Sequence, residues 1–270
     1  AGLKGESWTL ETVLDETAGG LNGLISCAEW TGIPLHYLLD EAGLDESATW
    51  VVAEGADAAG MNRSVPLSLA TSDALLALYQ NGEPLRRSQG FPMRLLVPGC
   101  EGNLSVKWLR SLKVMNQPAH TREETSKYTD LQLDGNAWQF SLRMGVKSVI
   151  TSPSGQMQLP EKGVFEITGL AWTGHGSVRR VEVSADGGRS WTDAVIQSEI
   201  SEHKPVRFRI PWRWNGQPAV LQSRAVDSVS NVQPTRSQAL QNVAPGFSYH
   251  YNGIQSWMVE ASGRVSNVHG

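Results

Sequence analysis

The alternation of apolar and polar positions changes character near residue 146. Before it, Phe91, Met93, Leu95 and Val97 alternate as a strand does, and Leu96 makes the second face apolar as well. That is the pattern of a strand covered on both sides. Strands are also predicted at Trp50–Glu54, at Ala74–Tyr79 before a hairpin-type Asn81-Gly82 turn, and at Leu109–Val114. A short strand at Leu24-Ile25 precedes a predicted helix, with Thr31 as its cap, Pro34 in its first turn and Gly43 at its stop. Leu35, Leu38, Leu39 and Ala42 share one face of that helix. Residues 55–64 read as a loop. The stretch 116–145 lacks a sustained period, carries mixed charge, and reads as a connecting segment draped over a surface.

From Val146 onward short strands follow one another between turns. They are predicted near 146–151, 163–172, 177–184, 190–197, 205–212, 218–226 and 247–259, with turns at Thr173-Gly174-His175-Gly176 and Asp186-Gly187-Gly188. No cysteine pair bridges them, so the expectation is an immunoglobulin-like β-sandwich without the antibody disulfide. The expected fold class is α+β. Residues 1–115 form one domain portion, 116–145 connect, and 146–270 form the sandwich.

At 270 residues the chain is long enough for two cores. A net charge of −4 with no cluster of lysine or arginine argues against a nucleic-acid partner. Ten tryptophans provide large rigid surfaces, burial in two cores being the plainer use for them. Cys27 and Cys100 are too few for a disulfide framework, and the six histidines fall in no ligand spacing. No metal site built by this chain is therefore expected. No apolar run is long enough for membrane insertion, no signal peptide is visible, and the first residues read as the middle of a domain.

The candidate chemistry gathers at residues 90–108. Pro98, Gly99, Gly102 and Asn103 stop the strand and let backbone amides approach a ligand closely. Arg94 stands inside the apolar run, a costly place for a cation without an anion, and Ser105 and Lys107 follow the turn. Together they describe a socket for an anion such as a phosphate. Plainer readings exist for each residue. Arg94 could pair with Asp57 or Glu101, Lys107 could be a solvated surface lysine, and Asp57 could bond its own loop. Arg63 could simply cap its loop, and Arg209 and Arg213 alternate with aromatics as an exposed cationic stripe would.

Taken together, Gly90-Phe91-Pro92-Met93-Arg94, Val97-Pro98-Gly99-Cys100-Glu101-Gly102 and Ser105-Val106-Lys107-Trp108-Leu109 resemble the molybdopterin-binding core of the sulfite oxidase family. Glu29–Leu35, Glu54–Asp57, Arg63–Leu67, Ser184–Trp191 and Val232–Pro234 are similar to that family as well. Leu24–Gly32, Thr121–Asp130, Phe208–Trp214 and Tyr249–Trp257 look most like its sulfane dehydrogenase branch. The resemblance implies a molybdopterin cofactor and no haem in this chain, with cofactor contacts at Asp57, Gln89, Arg94, Ser105, Val106 and Lys107. It also implies that Arg63 and Arg209 serve an anionic substrate. Sulfane sulfur on a carrier protein would be oxidised, with electrons passing to a c-type cytochrome subunit. A homodimer through the sandwich and a periplasmic location come with the resemblance too. Gln89 stands where sulfite oxidases commonly have a histidine, and Met61 where they carry an active-site tyrosine. A sulfite dehydrogenase is the alternative, and a non-catalytic dimerising fragment the third reading. The family's molybdenum-ligating cysteine belongs to a motif that neither Cys27 nor Cys100 occupies. The chain is accordingly expected to be the C-terminal portion of a longer protein, with an incomplete active site.

Overall fold

The computed structural model describes residues 16–244 and 249–269. It divides into two units: one is Ser26–Thr129 with Gln139–Leu142, the other the described residues up to Ile25, Asp130–Trp138, and Arg143 onward. The stretch 116–145 is thus shared between them.

The first unit holds two small antiparallel sheets. In one, Trp50–Gly55 is central and pairs with Asn62–Pro66 and Leu109–Met115. In the other, Leu75–Gln80 pairs with Trp30–Pro34, Glu83–Pro84 and Arg94–Leu96. Leu35, Leu39, Val51, Ala53, Val65, Leu95, Val97, Leu104 and Val106 form its core. Here the expected helix begins later than its cap signal suggested. Trp30 through Pro34 bond to Leu75–Gln80, so Thr31 lies in a strand and the helix spans Leu35–Ala42. Gly43 does stop it, at φ 74°. Leu38 is 37% exposed, so the buried stripe is only Leu35 and Leu39 wide. No strand forms at Leu24-Ile25. The strand predicted over 91–97 contracts to Arg94–Leu96, the part that reaches the partners Leu75–Ala77. Part of the predicted loop 55–64 is instead strand Asn62–Pro66, because Trp50–Glu54 offers it a ladder. Within 116–145, the helix Arg122–Ser126 was missed; Thr121 and Glu124 close it with a reciprocal capping box.

The second unit is a sandwich. One sheet runs Lys147–Ser152, Gly163–Trp172, Val206–Trp214 and Val195–Ile196, and the other runs Thr192–Asp193, Val178–Ser184, Ala219–Asp227, Ser256–Val259 and Val265–Val268. Alternate residues of both sheets meet in one core: Ile150, Ile167, Ala171, Val206 and Phe208 on one side, Val181, Val183, Leu221, Trp257 and Val265 on the other. The predicted strand 190–197 is two short strands in different sheets. Of the predicted strand 247–259, residues 247–248 lie outside the described residues and Ser256–Val259 is strand. The strand Val265–Val268 and the helix Arg236–Leu240 were not anticipated. Asp130–Leu131 pairs with Ala137–Trp138 in this unit.

A polar knot sits within the sandwich. Lys147 is only 3% exposed, donates from Nζ to the Tyr251 carbonyl at 3.1 Å, and lies 5.0 Å from the Tyr251 ring centre. Burial lowers its ammonium from 10.5 to about 8. The Gly145 amide donates to His250 Nε2 at 2.9 Å, and burial above all lowers that imidazole to about 4. Among the described residues no helix is long and apolar enough to cross a membrane.

Candidate functional site

The residues singled out around 90–108 come together at one side of the first unit. Arg94 leaves the strand paired with Leu75–Gln80 and donates from Nη1 to the Gln89 carbonyl at 3.2 Å and from Nη2 to the Ser105 carbonyl at 2.8 Å. Its guanidinium lies 5.0 Å from the Trp30 ring centre. Lys107 donates to the Ser88 carbonyl at 2.7 Å, and the Trp108 indole to the Arg87 carbonyl at 2.9 Å. Three successive carbonyls of the Arg87–Gln89 turn are therefore held by three side chains from elsewhere in the chain. The turn is closed in addition by Gln89, whose Oε1 accepts the Arg86 amide at 3.0 Å.

Two glycines make the crossing possible. At Gly90, φ is +108° and a Cβ would stand 3.0 Å from Lys107 Cα and 3.1 Å from the Trp108 amide nitrogen. At Gly55 a Cβ would stand 2.8 Å from the Lys107 carbonyl oxygen. Trp108 itself is held at φ 50°, an uncommon conformation for a tryptophan, while its carbonyl accepts the Ala56 amide at 2.8 Å. This bond brings the Asp57 loop against 105–108. Asp57 Oδ1 accepts the Met61 amide at 3.3 Å, so it organises its own loop. Ser105 Oγ accepts the Val97 amide at 3.2 Å, and the buried Val106 accepts the Leu95 amide at 2.9 Å.

Asp57, Gln89, Arg94, Ser105, Val106 and Lys107 are thus neighbours along one backbone crossing. Arg94 has no ion pair with Asp57, Glu101 or any other acid among the described residues, and neither has Lys107. Arg94 Nε is buried without a hydrogen-bond partner, and burial lowers the pKa of this guanidinium. Two cations without counter-charge, one with an orphaned buried donor, fit a doubly charged phosphate.

Arg63 belongs to a different cluster. It is 1% exposed on the strand Asn62–Pro66, opposite Ala53, with its guanidinium 4.7 Å from the Tyr128 ring centre. Burial raises the Tyr128 phenol, Arg63 opposes that rise, and Glu123 and Glu101 add to it. On the opposite face of the strand, buried Glu124 accepts the Ser64 amide, the Ser64 hydroxyl at 3.1 Å and the Thr121 amide at 2.9 Å. A groove of about 470 Å³ lies beside Met61, Asn62, Thr121, Arg122 and Glu123. Sequence reasoning gave Tyr128 and Glu124 no role at the site and considered Glu101 only as a partner for Arg94. The Thr121-x-x-Glu124 spacing was the one available signal. Arg209 stands in the sandwich, half exposed, 3.4 Å from Glu166. Among the described residues no group of three histidine, cysteine or acidic side chains could hold a metal. Cys27 is exposed and Cys100 buried, and no disulfide joins them.

An anion seat in one unit and a β-sandwich in the other fit a molybdopterin-type oxidoreductase, and comparison with known proteins supplies that class. Residues 7–123 match the oxidoreductase molybdopterin binding domain, and residues 138–256 the Mo-co oxidoreductase dimerisation domain. Sulfite oxidase of Arabidopsis thaliana is 30% identical over 89% of this chain and 67% of its own length. Mitochondrial sulfite oxidase of Mus musculus is 34% identical over 82% of this chain and 44% of its own length. The crystal structure of the sulfane dehydrogenase SoxCD from Paracoccus pantotrophus superposes with a TM-score of 0.85 at 47% identity, covering 89% of this chain and 62% of that one. The chain belongs to the sulfite oxidase family, whose molybdopterin-binding domain implies a molybdenum cofactor. It spans less than half the length of the mammalian relatives.

Proposed function

We propose that this chain contributes the phosphate seat of a molybdenum-cofactor oxidoreductase that oxidises sulfane sulfur on a carrier protein. The observation that carries the seat is the pair Arg94 and Lys107, two uncompensated cations on a crossing that Gly55 and Gly90 keep open. When bound, the cofactor would supply oxygen-atom transfer and accept the two electrons. The chain's own residues bind and orient. Arg94 and Lys107 neutralise the phosphate, Ser105 and Gln89 offer hydrogen bonds beside it, Val106 walls the seat, and Asp57 accepts N–H bonds from the pterin. Arg63 and Arg209 are proposed to act on the anionic substrate. The cofactor-binding role is assigned to 1–115 and dimerisation to 146–270, with 116–145 connecting. A c-type cytochrome as electron acceptor, a homodimer and a periplasmic location belong to the same reading. The dimerisation-domain match supports the homodimer.

The sulfane reading is favoured over free sulfite by the higher identity to the sulfane dehydrogenase, 47% against 34% for the mouse sulfite oxidase. Turnover of the gene product at its natural length, with carrier-bound sulfane sulfur and with sulfite side by side, decides it. Preference for free sulfite would refute the substrate assignment while leaving the cofactor seat intact.

A further inference from the structure

The outer face of the sandwich's four-stranded sheet carries a pattern of which the proposed reaction uses only Arg209. On strand Val206–Trp214, Val206, Phe208, Ile210, Trp212 and Trp214 turn into the core. Arg207, Arg209 and Arg213 therefore turn outward, and all three are exposed. The register sets Arg213 beside Val164, Arg209 beside Thr168 and Val195, and Arg207 beside Leu170. Val164 and Val195 are 63% and 61% exposed. Glu166 is the one acid at an outward position of the paired ladder, and it reaches Arg209 at 3.4 Å. The guanidinium groups of Arg207 and Arg213 have no acidic partner among the described residues. A chain with net charge −4 has thus gathered positive charge around exposed valines on one sheet face.

We propose that this face docks an acidic segment of a partner protein. Alternate residues of a strand repeat every ~7 Å, so carboxylates at that spacing would meet Arg207 and Arg209 in step, with Arg213 two repeats further on. The valines and Pro211 give the segment apolar contact between the charges. A two-fold contact with a second copy is disfavoured, because it sets arginine against arginine with only Glu166 to offset them. Nucleic acid is disfavoured by the same Glu166 and by the apolar strips between the cations. The inference rests on Arg207 and Arg213, which have no part in the proposed reaction; Arg209 alone is shared with it.

The probe is a fluorescein-labelled decapeptide of alternating Glu and Thr, titrated with the natural protein and followed by anisotropy at low and at physiological salt. Saturable binding that weakens with salt is expected, and Arg207→Glu with Arg213→Glu should weaken it about tenfold or more. Arg207→Gln with Arg213→Gln, which keeps the face polar, should show a smaller loss in the same direction and serves if the double reversal does not fold. Absence of binding, equal binding by the variants, or stronger displacement by a short DNA duplex than by unlabelled peptide would overturn the proposal. So would sedimentation showing that the double variant converts a dimer into monomers, since the face would then belong to a second copy.

Discussion

Lys147→Met should stabilise the protein, and by an amount that depends on pH. The lysine is buried with a carbonyl and an aromatic ring for company and with no carboxylate paired to it among the described residues. Lowering its ammonium from 10.5 to about 8 corresponds to about 3 kcal/mol of disfavour for the charged form. Methionine matches the length of the stem and brings no charge. It leaves the Tyr251 carbonyl without its donor, a loss of about 1 kcal/mol. The variant should therefore gain about 2 kcal/mol near pH 7. The folded-state value lies below the unfolded one, so the unfolded chain binds more protons between pH 8 and 10.5. The stability of the natural protein accordingly rises with pH across that window, and the variant lacks this rise. Its advantage should be full below pH 8 and gone by about pH 10. Urea unfolding followed by tryptophan fluorescence at pH 7 and pH 10 measures both. A Lys147→Met protein that is less stable at pH 7, or that differs from the natural one equally at both pH values, would refute the reasoning.

His250, lowered to about 4, should make the protein lose stability as pH falls from 6.5 toward 4, and His250→Gln should flatten acid unfolding in that range. Gly90→Ala should cost about 2–3 kcal/mol, because φ is +108° and the new methyl meets the backbone of Lys107 and Trp108; thermal unfolding reads it. Glu124→Ala should cost about 3 kcal/mol or more in denaturant unfolding, since the Ser64 and Thr121 amides lose their buried acceptor, and Glu124→Gln should cost less.

Alternation made most of the sandwich legible, because a half-buried strand shows its period directly: 163–172 and 218–226 were read close to the ladders they form. Shorter pieces were lost where tertiary pairing overrides local signals. Thr31 looks like a cap until Leu75–Gln80 draws Trp30–Pro34 into a sheet. Val265–Val268 is a strand only because Ser256–Val259 lies beside it. At the site, the joint spacing of Gly90, Arg94, Ser105 and Lys107 pointed to an anion seat. The carbonyls of Arg87, Ser88 and Gln89, held by Trp108, Lys107 and Arg94, carry no side-chain signature, so sequence could not reveal them. Tyr128 was hidden for a similar reason, since it meets Arg63 from 65 positions away.

The cofactor seat is most directly tested by the molybdenum and pterin content of the gene product at its natural length, purified as Arg94→Gln with Lys107→Gln beside the natural protein and an Arg122→Gln control. The double variant should retain a small fraction of the natural cofactor content while showing the same folded circular dichroism, and the control should retain it all. Full cofactor content in the double variant would contradict the claim that Arg94 and Lys107 hold the phosphate.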